Sequence, residues 1–320
     1  MLFESGLSRR RAREILLQGA QSQALSLFWQ AGPAFLAQQL ELSPDETARL
    51  HAAHANWQQF EQRFQQERSL GLRTLRLNQP TFPDTLLRFL PAEQRPLLLF
   101  ARGDLALLEL PRILPLAAPP DARTEAWALE TLATLATDGA LPLFVARAGL
   151  DARGIQAFLQ AELPFALVIP QGLGAYQPPA GLQAAINAGR ALLLSPFQPT
   201  WQPPARQENP MLVHADAFAR ALAHAWLALG APAAPPAAGQ VCLCAPEAAP
   251  LPHCPRPYEN PEALFLALTE AASAPPTNHA TSKPAPPPDL PPLSPEEILQ
   301  TLAQGGKIPA ALAARLQPKP

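Results

Sequence analysis

The sequence predicts an α/β fold: a Rossmann-like, mostly parallel sheet with helices on both faces, preceded by a small N-terminal helical domain. Two observations carry this expectation. From residue 97 short apolar runs recur: "PLLLFARGD", "RILPLAA", "LPLFVA", "FALVIP", "ALLLS" and "QVCLC", with helix-length segments between them. Continuous apolar strands alternating with helices form a parallel sheet buried on both sides. The first hundred residues, by contrast, read as mostly helical, with apolar side chains at helical spacing.

In the N-terminal segment "SRRRAREILLQGAQSQALSLFWQAG", Ile15, Leu16 and Ala20, then Leu25, Phe28 and Trp29, lie near one helical face. A second helix is predicted to open at "SPDE". Ser43 caps it, Pro44 suits the first helical position and Glu46 completes a capping box. Along it Leu50, Ala53, Trp57, Phe60 and Phe64 form one apolar stripe, which reads as a packing face. Arg9, Arg10, Arg11 and Arg13 read as a solvated helix face.

Between the apolar runs, residues 121–138, 151–161, 180–189 and 211–229 are Ala/Leu-rich and predicted helical. Ligands of such sheets sit at the carboxyl ends of the strands, where turns enter helices. The turns to read are "AAPPDAR", "ARAGLDAR", "PQGLGAYQPP" and "SPFQPTWQPPARQENP". In "ARAGLDAR", Gly149 suits a tight turn, Asp151 is a good N-cap, and Arg147 and Arg153 flank the crevice. Gly172 and Gly174 offer a phosphate cradle of backbone amides, and "AAPP" removes such amides with its prolines.

Several function classes find no support. There is no G-x-G-x-x-G and no Walker-type loop, and Ser195 lacks the G-x-S-x-G elbow. The set Cys242, Cys244, His253 and Cys254 has poor spacing for zinc, and strand alternation puts Cys242 and Cys244 on one face. His51, His54, His214 and His224 read as core or boundary residues. No cofactor and no metal are expected. The net charge of −2 advertises no global affinity for nucleic acid, so any such binding needs a local patch. Three cysteines make no disulfide framework and suit a reducing cytoplasm. No signal peptide and no membrane span are expected.

The order of elements from about residue 70 to 270 resembles the DNA-processing protein A (DprA/Smf) family. "GLRTLRLNQPTFPDTLLRFLPAEQRPLLLFARGD" is similar to that family's lead-in. Phe82-Pro83 stand where Tyr-Pro opens a helix, and Leu99-Phe100-Ala101-Arg102-Gly103-Asp104 where Leu-Phe-x-x-Gly-Asp closes a strand. Gly149, Leu150 and Asp151 match the family's Gly-Ile-Asp, with Phe144-Val145 replacing Ser-Gly and Ile155 replacing a histidine. Gly172, Leu173 and Tyr176 match its next turn, with Gly174 in place of an aspartate. Ser195 is kept ahead of Pro196, where the family has glutamate. Asn209 is kept after Glu208, where the family has arginine. Ala117-Ala118-Pro119 take the place of Gly-Ser-Arg.

The resemblance implies a diverged, non-enzymatic protein that binds single-stranded DNA at the strand ends and helps load a RecA-type recombinase in recombination or natural transformation. Its candidate contacts are Arg147, Gly149, Asp151, Arg153, Gly172, Gly174, Tyr176, Ser195, Arg206 and Asn209, with Phe197 and Trp201 as stacking surfaces. The altered signature implies weakened binding. An interaction scaffold that kept the fold, with a homodimer among its roles, is the alternative, and a nucleotide-processing enzyme comes last. The expected domains are 1–70 (helical), 71–272 (Rossmann-like), a proline-rich linker 273–292 and a short helical segment 293–320.

Overall fold

The computed structural model describes residues 11–12, 14–15, 37–38, 41–77, 79–91, 94–116, 121–204, 208–230, 236–237, 240–245, 256–257 and 260–273. The chain divides into two compact units, residues 1–65 with 278–320 and residues 66–277. The expected linker at 273–292 and the segment at 293–320 lie, but for Ser273, outside the described residues, as do Leu16 to Trp29.

In the first unit, helix α1 (Pro44–Ala55) opens on the predicted capping box. Ser43 Oγ accepts from the Glu46 amide at 3.2 Å, and Glu46 Oε2 accepts from the Ser43 amide at 2.9 Å. Arg11 is no solvated bystander: its Nε donates to Glu46 Oε1 at 2.7 Å. That hydrogen bond, with the Ser43 amide behind it, holds the Glu46 carboxyl below its usual range. Leu50 and Ala53 are buried as expected, but the predicted stripe does not run along a single helix. Asn56 ends α1, bonding the Ala52 carbonyl through its own side chain at 3.1 Å, and α2 (Trp57–Ser69) starts afresh, its last residues from Gln66 on belonging to the second unit. An asparagine that competes for backbone partners is a natural break. Phe64 falls off the stripe and is 39% exposed.

The second unit is built on a sheet with nine strands among the described residues. They are β1 (Leu72–Arg76), β2 (Leu98–Arg102), β3 (Arg112–Leu116), β4 (Leu141–Val145), β5 (Phe165–Val168), β6 (Ala191–Ser195), β7 (Ala225–Ala228), β8 (Val241–Cys244) and β9 (Arg256–Pro257). Their order is β1-β2-β6-β5-β4-β3-β7-β8-β9. The pairs β1/β2 and β2/β6 are antiparallel and all others parallel.

All six predicted apolar runs are strands. Three further strands, β1, β7 and β9, were not anticipated. The segment predicted helical at 211–229 is corrected: helix α7 (Glu208–Leu222) gives way to β7. All four residues of β7, Ala-Trp-Leu-Ala, are buried, so the strand shows no alternation and reads as a continuation of the Ala-rich helix.

Helices α4 (Ala122–Thr137), α5 (Leu150–Gln160), α6 (Ala180–Asn187) and α8 (Pro261–Ser273) supply one core, where Leu132, Phe158, Leu182 and Leu268 meet Phe144, Phe165 and Leu193. Helix α3 (Asp84–Phe89) and α7 cover the other face, with Leu86, Phe218 and Leu222 against Leu99, Leu114 and Leu143. Phe82-Pro83 opens α3 as expected, with Phe82 buried and Pro83 at the cap. Cys242 and Cys244 share one face of β8, as the alternation predicts. Cys242 is disulfide-bonded, a correction to the reduced set of thiols expected.

Backbone constraints in β2 and β3 shape the two ends of the sheet. Gly103 ends β2 at φ 123°, and a Cβ there would lie 2.4 Å from the Ala191 carbonyl oxygen, so only glycine lets β2 close on β6. In β3, the Arg112 and Leu116 carbonyls accept from the His224 and Leu229 amides on the β7 side. By alternation Pro115 faces β4, and it has no N–H to give. Pairing of β3 with β4 accordingly stops after Arg112↔Leu141 and Ile113↔Pro142. The two strands part toward their carboxyl ends.

At the opposite end of β3 Arg112 is buried, with 2% of its surface exposed. Its guanidinium donates to the Leu222 carbonyl (2.9 Å), the Leu108 carbonyl and Thr85 Oγ1 (3.1 Å). Burial lowers its pKa to about 10. His224 Nδ1 accepts from the Arg112 amide at 2.9 Å, and burial, with the Arg112 charge beside it, pushes its pKa down to about 3. His224 is therefore a core residue, as read, whereas His51 and His214 are exposed. A histidine kept neutral in the fold takes up its proton only on unfolding. Its contribution to stability is full above the unfolded value near 6.5 and declines as pH falls toward about 3. In chemical denaturation between those limits, His224→Gln should show a slope of stability against pH shallower by up to about 1.4 kcal/mol per unit. Equal slopes would mean that His224 titrates in the folded state.

Candidate nucleic-acid interface at the strand ends

The carboxyl ends of β4, β5 and β6 and the turns after them carry most of the residues singled out in the sequence. After β4 the chain turns tightly, the Arg147 amide donating to the Val145 carbonyl at 2.7 Å. Gly149 follows at φ 90° and occupies the cap position of α5, with no side-chain bond. Asp151 is not that cap, a correction to the sequence expectation. Its Oδ1 accepts from the Val145 amide at 2.9 Å, the N–H that β3 would have bonded had the ladder continued. Asp151 is thus buried at the gap left by Pro115, with 2% exposure. Burial pushes its carboxyl above the usual range, against the pull of Arg147 and the Val145 amide.

Arg147 answers that carboxylate. Its Nε donates to Asp151 Oδ2 at 2.5 Å and its Nη1 to Asp216 Oδ1, on α7, at 2.7 Å. Asp216 Oδ2 in turn accepts from Arg220 Nε at 2.6 Å, and the Arg220 guanidinium lies 5.5 Å from the Trp226 ring centroid. Burial lowers the Arg147 pKa and the two carboxylates raise it; the net shift is upward, so the guanidinium stays charged. The chain Asp151–Arg147–Asp216–Arg220 alternates in sign and joins a helix on one sheet face to a helix on the other. Arg153, in the first turn of α5, pairs through Nε and Nη2 with both carboxylate oxygens of Glu125 in the first turn of α4. The two arginines flank the turn as expected. Each holds carboxylates rather than standing free.

The turns after β5 and β6 are sewn to each other. Ser195 Oγ donates to the Gln171 carbonyl at 2.7 Å and accepts from the Phe197 amide at 3.1 Å. The Gly172 amide donates to the Trp201 carbonyl (2.8 Å), and the Ala175 amide to the Pro199 carbonyl (3.0 Å). A Cβ at Gly172 would lie 2.0 Å from the Gln198 carbonyl oxygen, and one at Gly174 3.1 Å from that of Pro199. Gly172 thus serves loop-to-loop contact, and its amide is spent on the seam between the two turns. Phe197 and Trp201 stack on one another at 4.9 Å, inclined by 22°. Tyr176 packs half-buried against the main core, and burial raises its phenol pKa. Arg206 and Ala117 to Pro119 lie outside the described residues; Asn209 and Glu208 fall in the first turn of α7, but their side chains are not among those described.

Sequence reading missed Asp216, Arg220 and Glu125. Asp216 and Arg220 stand four apart on α7, a spacing that signals an intrahelical pair, but nothing in the sequence ties Asp216 to Arg147. Among the described residues, no group of three or more His, Cys, Asp or Glu is placed to hold a metal ion. Among them too, no helix is long and apolar enough to cross a membrane.

Replacing Asp151 by alanine strands the Val145 amide and removes one partner of a buried ion pair, so it should cost about 3–5 kcal/mol in urea unfolding. Asp151→Asn, which can still accept from Val145, should cost less. An alanine variant as stable as the wild type would show that the strand-end gap needs no filler. Gly172→Ala pushes a methyl group into backbone on the neighbouring turn and should cost about 1–3 kcal/mol in the same measurement.

No family model matches the chain, and no curated protein matches it. Among solved structures it is similar to DNA processing protein A from Streptococcus pneumoniae, at 15% identity and a TM-score of 0.48, covering 97% of this chain and 93% of that one. It is also similar to DNA processing protein A from Helicobacter pylori, described for a unique single-stranded DNA binding mode, at 16% identity and a TM-score of 0.45, covering 62% of this chain and 96% of that one.

Proposed function

We propose that this chain is a non-catalytic DNA-processing protein that binds single-stranded DNA weakly at the strand ends of its Rossmann-like sheet. One observation carries this reading: Arg147 and Arg153 both stand at the carboxyl end of β4, each charged and each engaged by carboxylates. Arg153 is 55% exposed and its partner Glu125 13% exposed, so the guanidinium remains open to solvent on one side. A phosphate would compete with Glu125 for the open side of this guanidinium. Arg147 is more deeply committed, its side chain 29% exposed and shared between two carboxylates. Exchange of carboxylate for phosphate gives sequence-independent, salt-sensitive and weak binding. Loading of a RecA-type recombinase in the cytoplasm, during recombination or DNA uptake, is the role that the sequence resemblance attaches to such binding.

The interaction scaffold is a second reading, favoured by the charge-balanced chain from Asp151 to Arg220 and by the seam between the turns after β5 and β6. Mobility shift with oligo-dT at 50 and 200 mM salt separates the two. Two phosphate contacts on a single strand give a log–log slope of about −1.4, a loss of about sevenfold over that range. Arg147→Ala with Arg153→Ala should flatten the wild-type slope by about that amount, uniformly across sequences. Glu125→Gln, which frees Arg153, should tighten binding. No shift at either salt concentration would leave the scaffold reading standing.

A further inference from the structure

A second cationic site lies in the same unit, at the other end of the sheet. β2 runs antiparallel to β6, with Phe100 opposite Ser195 and Arg102 opposite Leu193, so its carboxyl end, where Gly103 meets Ala191, points away from the loops described above. There a cleft of about 700 Å³ is lined by Arg68, Arg73 and Arg102, together with Ser69, Gln183 and Asn187, and by no carboxylate. Three arginines around one concavity repel each other unless an anion joins them. Arg68 and Arg73 are exposed and form no ion pair among the described residues.

Apart from Ser69, whose hydroxyl donates to the Gln66 carbonyl within α2 at 2.7 Å, the polar side chains of the cleft present donors. Arg102 Nη2 donates to Gln183 Oε1 at 2.7 Å, and Gln183 Nε2 donates to Asn187 Oδ1 at 2.7 Å. The carbonyl oxygens of both amides are thereby occupied, leaving the Asn187 NH2 as a donor. Two helix C-termini border the cleft, and their carbonyls would disfavour an anion if left open. Both are closed. Leu70 and Gly71 amides bond the Gln66, Glu67 and Arg68 carbonyls at the end of α2, and Ala188, Gly189 and Arg190 amides bond those of Ala184, Ile186 and Ala185 at the end of α6. Gly71 at φ 75° makes the turn into β1, with open space where a Cβ would stand.

We propose that this cleft binds phosphate groups, with Arg68 and Arg73 contacting the phosphate oxygens and the chain Arg102–Gln183–Asn187 presenting the remaining donors. The phosphate belongs either to a small polyphosphate or to the backbone of a nucleic acid. This site stands apart from the strand-end reading and does not require it.

The test titrates the full chain at low salt with sodium tripolyphosphate, followed by calorimetry and thermal melting, and with labelled oligo-dT, followed by anisotropy. Arg68→Ala with Arg73→Ala alters two exposed side chains, so its melt without ligand should match the wild type. It should lower tripolyphosphate affinity about ten- to a hundredfold and abolish the ligand-induced rise in Tm. Arg68→Lys with Arg73→Lys should recover part of the affinity, and Arg147→Ala with Arg153→Ala should leave it unchanged. Loss for tripolyphosphate alone assigns the cleft to a small phosphate ligand; loss for both probes assigns it to a nucleic-acid backbone. A wild type that binds neither probe, or a cleft variant that binds both as the wild type does, overturns the proposal. Oligo-dT binding that survives in the cleft variant but falls in the Arg147/Arg153 variant, with tripolyphosphate binding unchanged in both, overturns it while upholding the strand-end site.

Discussion

A missing hydrogen governs the strand-end region of this protein. Pro115 faces β4 without an N–H, and the ladder between the two central strands stops two residues in. A buried amide at Val145 then needs an acceptor from elsewhere, because an unpaired one costs about 1–3 kcal/mol. Asp151 supplies it from the first turn of α5. A carboxylate placed there needs a cation, so Arg147 folds back over it, and the second half of that guanidinium is met by Asp216 on α7. The electrostatics of the crevice thus descend from a backbone defect, through one carboxylate, to a four-residue chain spanning both layers of helices.

Much of the architecture was legible because it rests on local rules. The capping box at Ser43 and Glu46, the six apolar runs, the helix entry at Phe82-Pro83 and the helix beginning near Asp121 are each written within a few residues. What escaped was whatever the local rule could not see. Strand β7 is buried on both faces and Ala-rich, so it is indistinguishable by pattern from the helix before it. The aromatic stripe hid a helix break because Asn56 interrupts it without changing the apolar spacing.

The candidate site was legible in position and opaque in state. Arg147, Gly149 and Gly172 fall on turns at the strand ends, Ser195 closes β6, and Asp151 and Arg153 stand in the first turn of α5, all at the end of the sheet that the α/β pattern singles out. Whether an arginine is free or paired depends on partners 28 and 69 residues away, Glu125 and Asp216, and no spacing rule reaches that far. The glycines carried the same ambiguity. A glycine that admits a phosphate and a glycine that admits a neighbouring carbonyl look alike in sequence, and the Gln198 oxygen beside Gly172 decides between them.

Strand β1 closes one side of the sheet, and among the described residues β2 is its sole strand neighbour. Its outer edge is partly capped, the Arg76 amide donating to Gln79 Oε1 at 2.9 Å, and an open edge is a template onto which another chain can add. Its sequence, Leu-Arg-Thr-Leu-Arg, sends Leu72 and Leu75 inward and leaves Arg73 and Arg76 exposed. If two copies met along this edge, guanidinium groups would crowd guanidinium groups across a newly formed ladder, with little water between them to screen the repulsion. Charged side chains on an edge strand work against such edge-to-edge pairing, and Arg73 and Arg76 place two of them here.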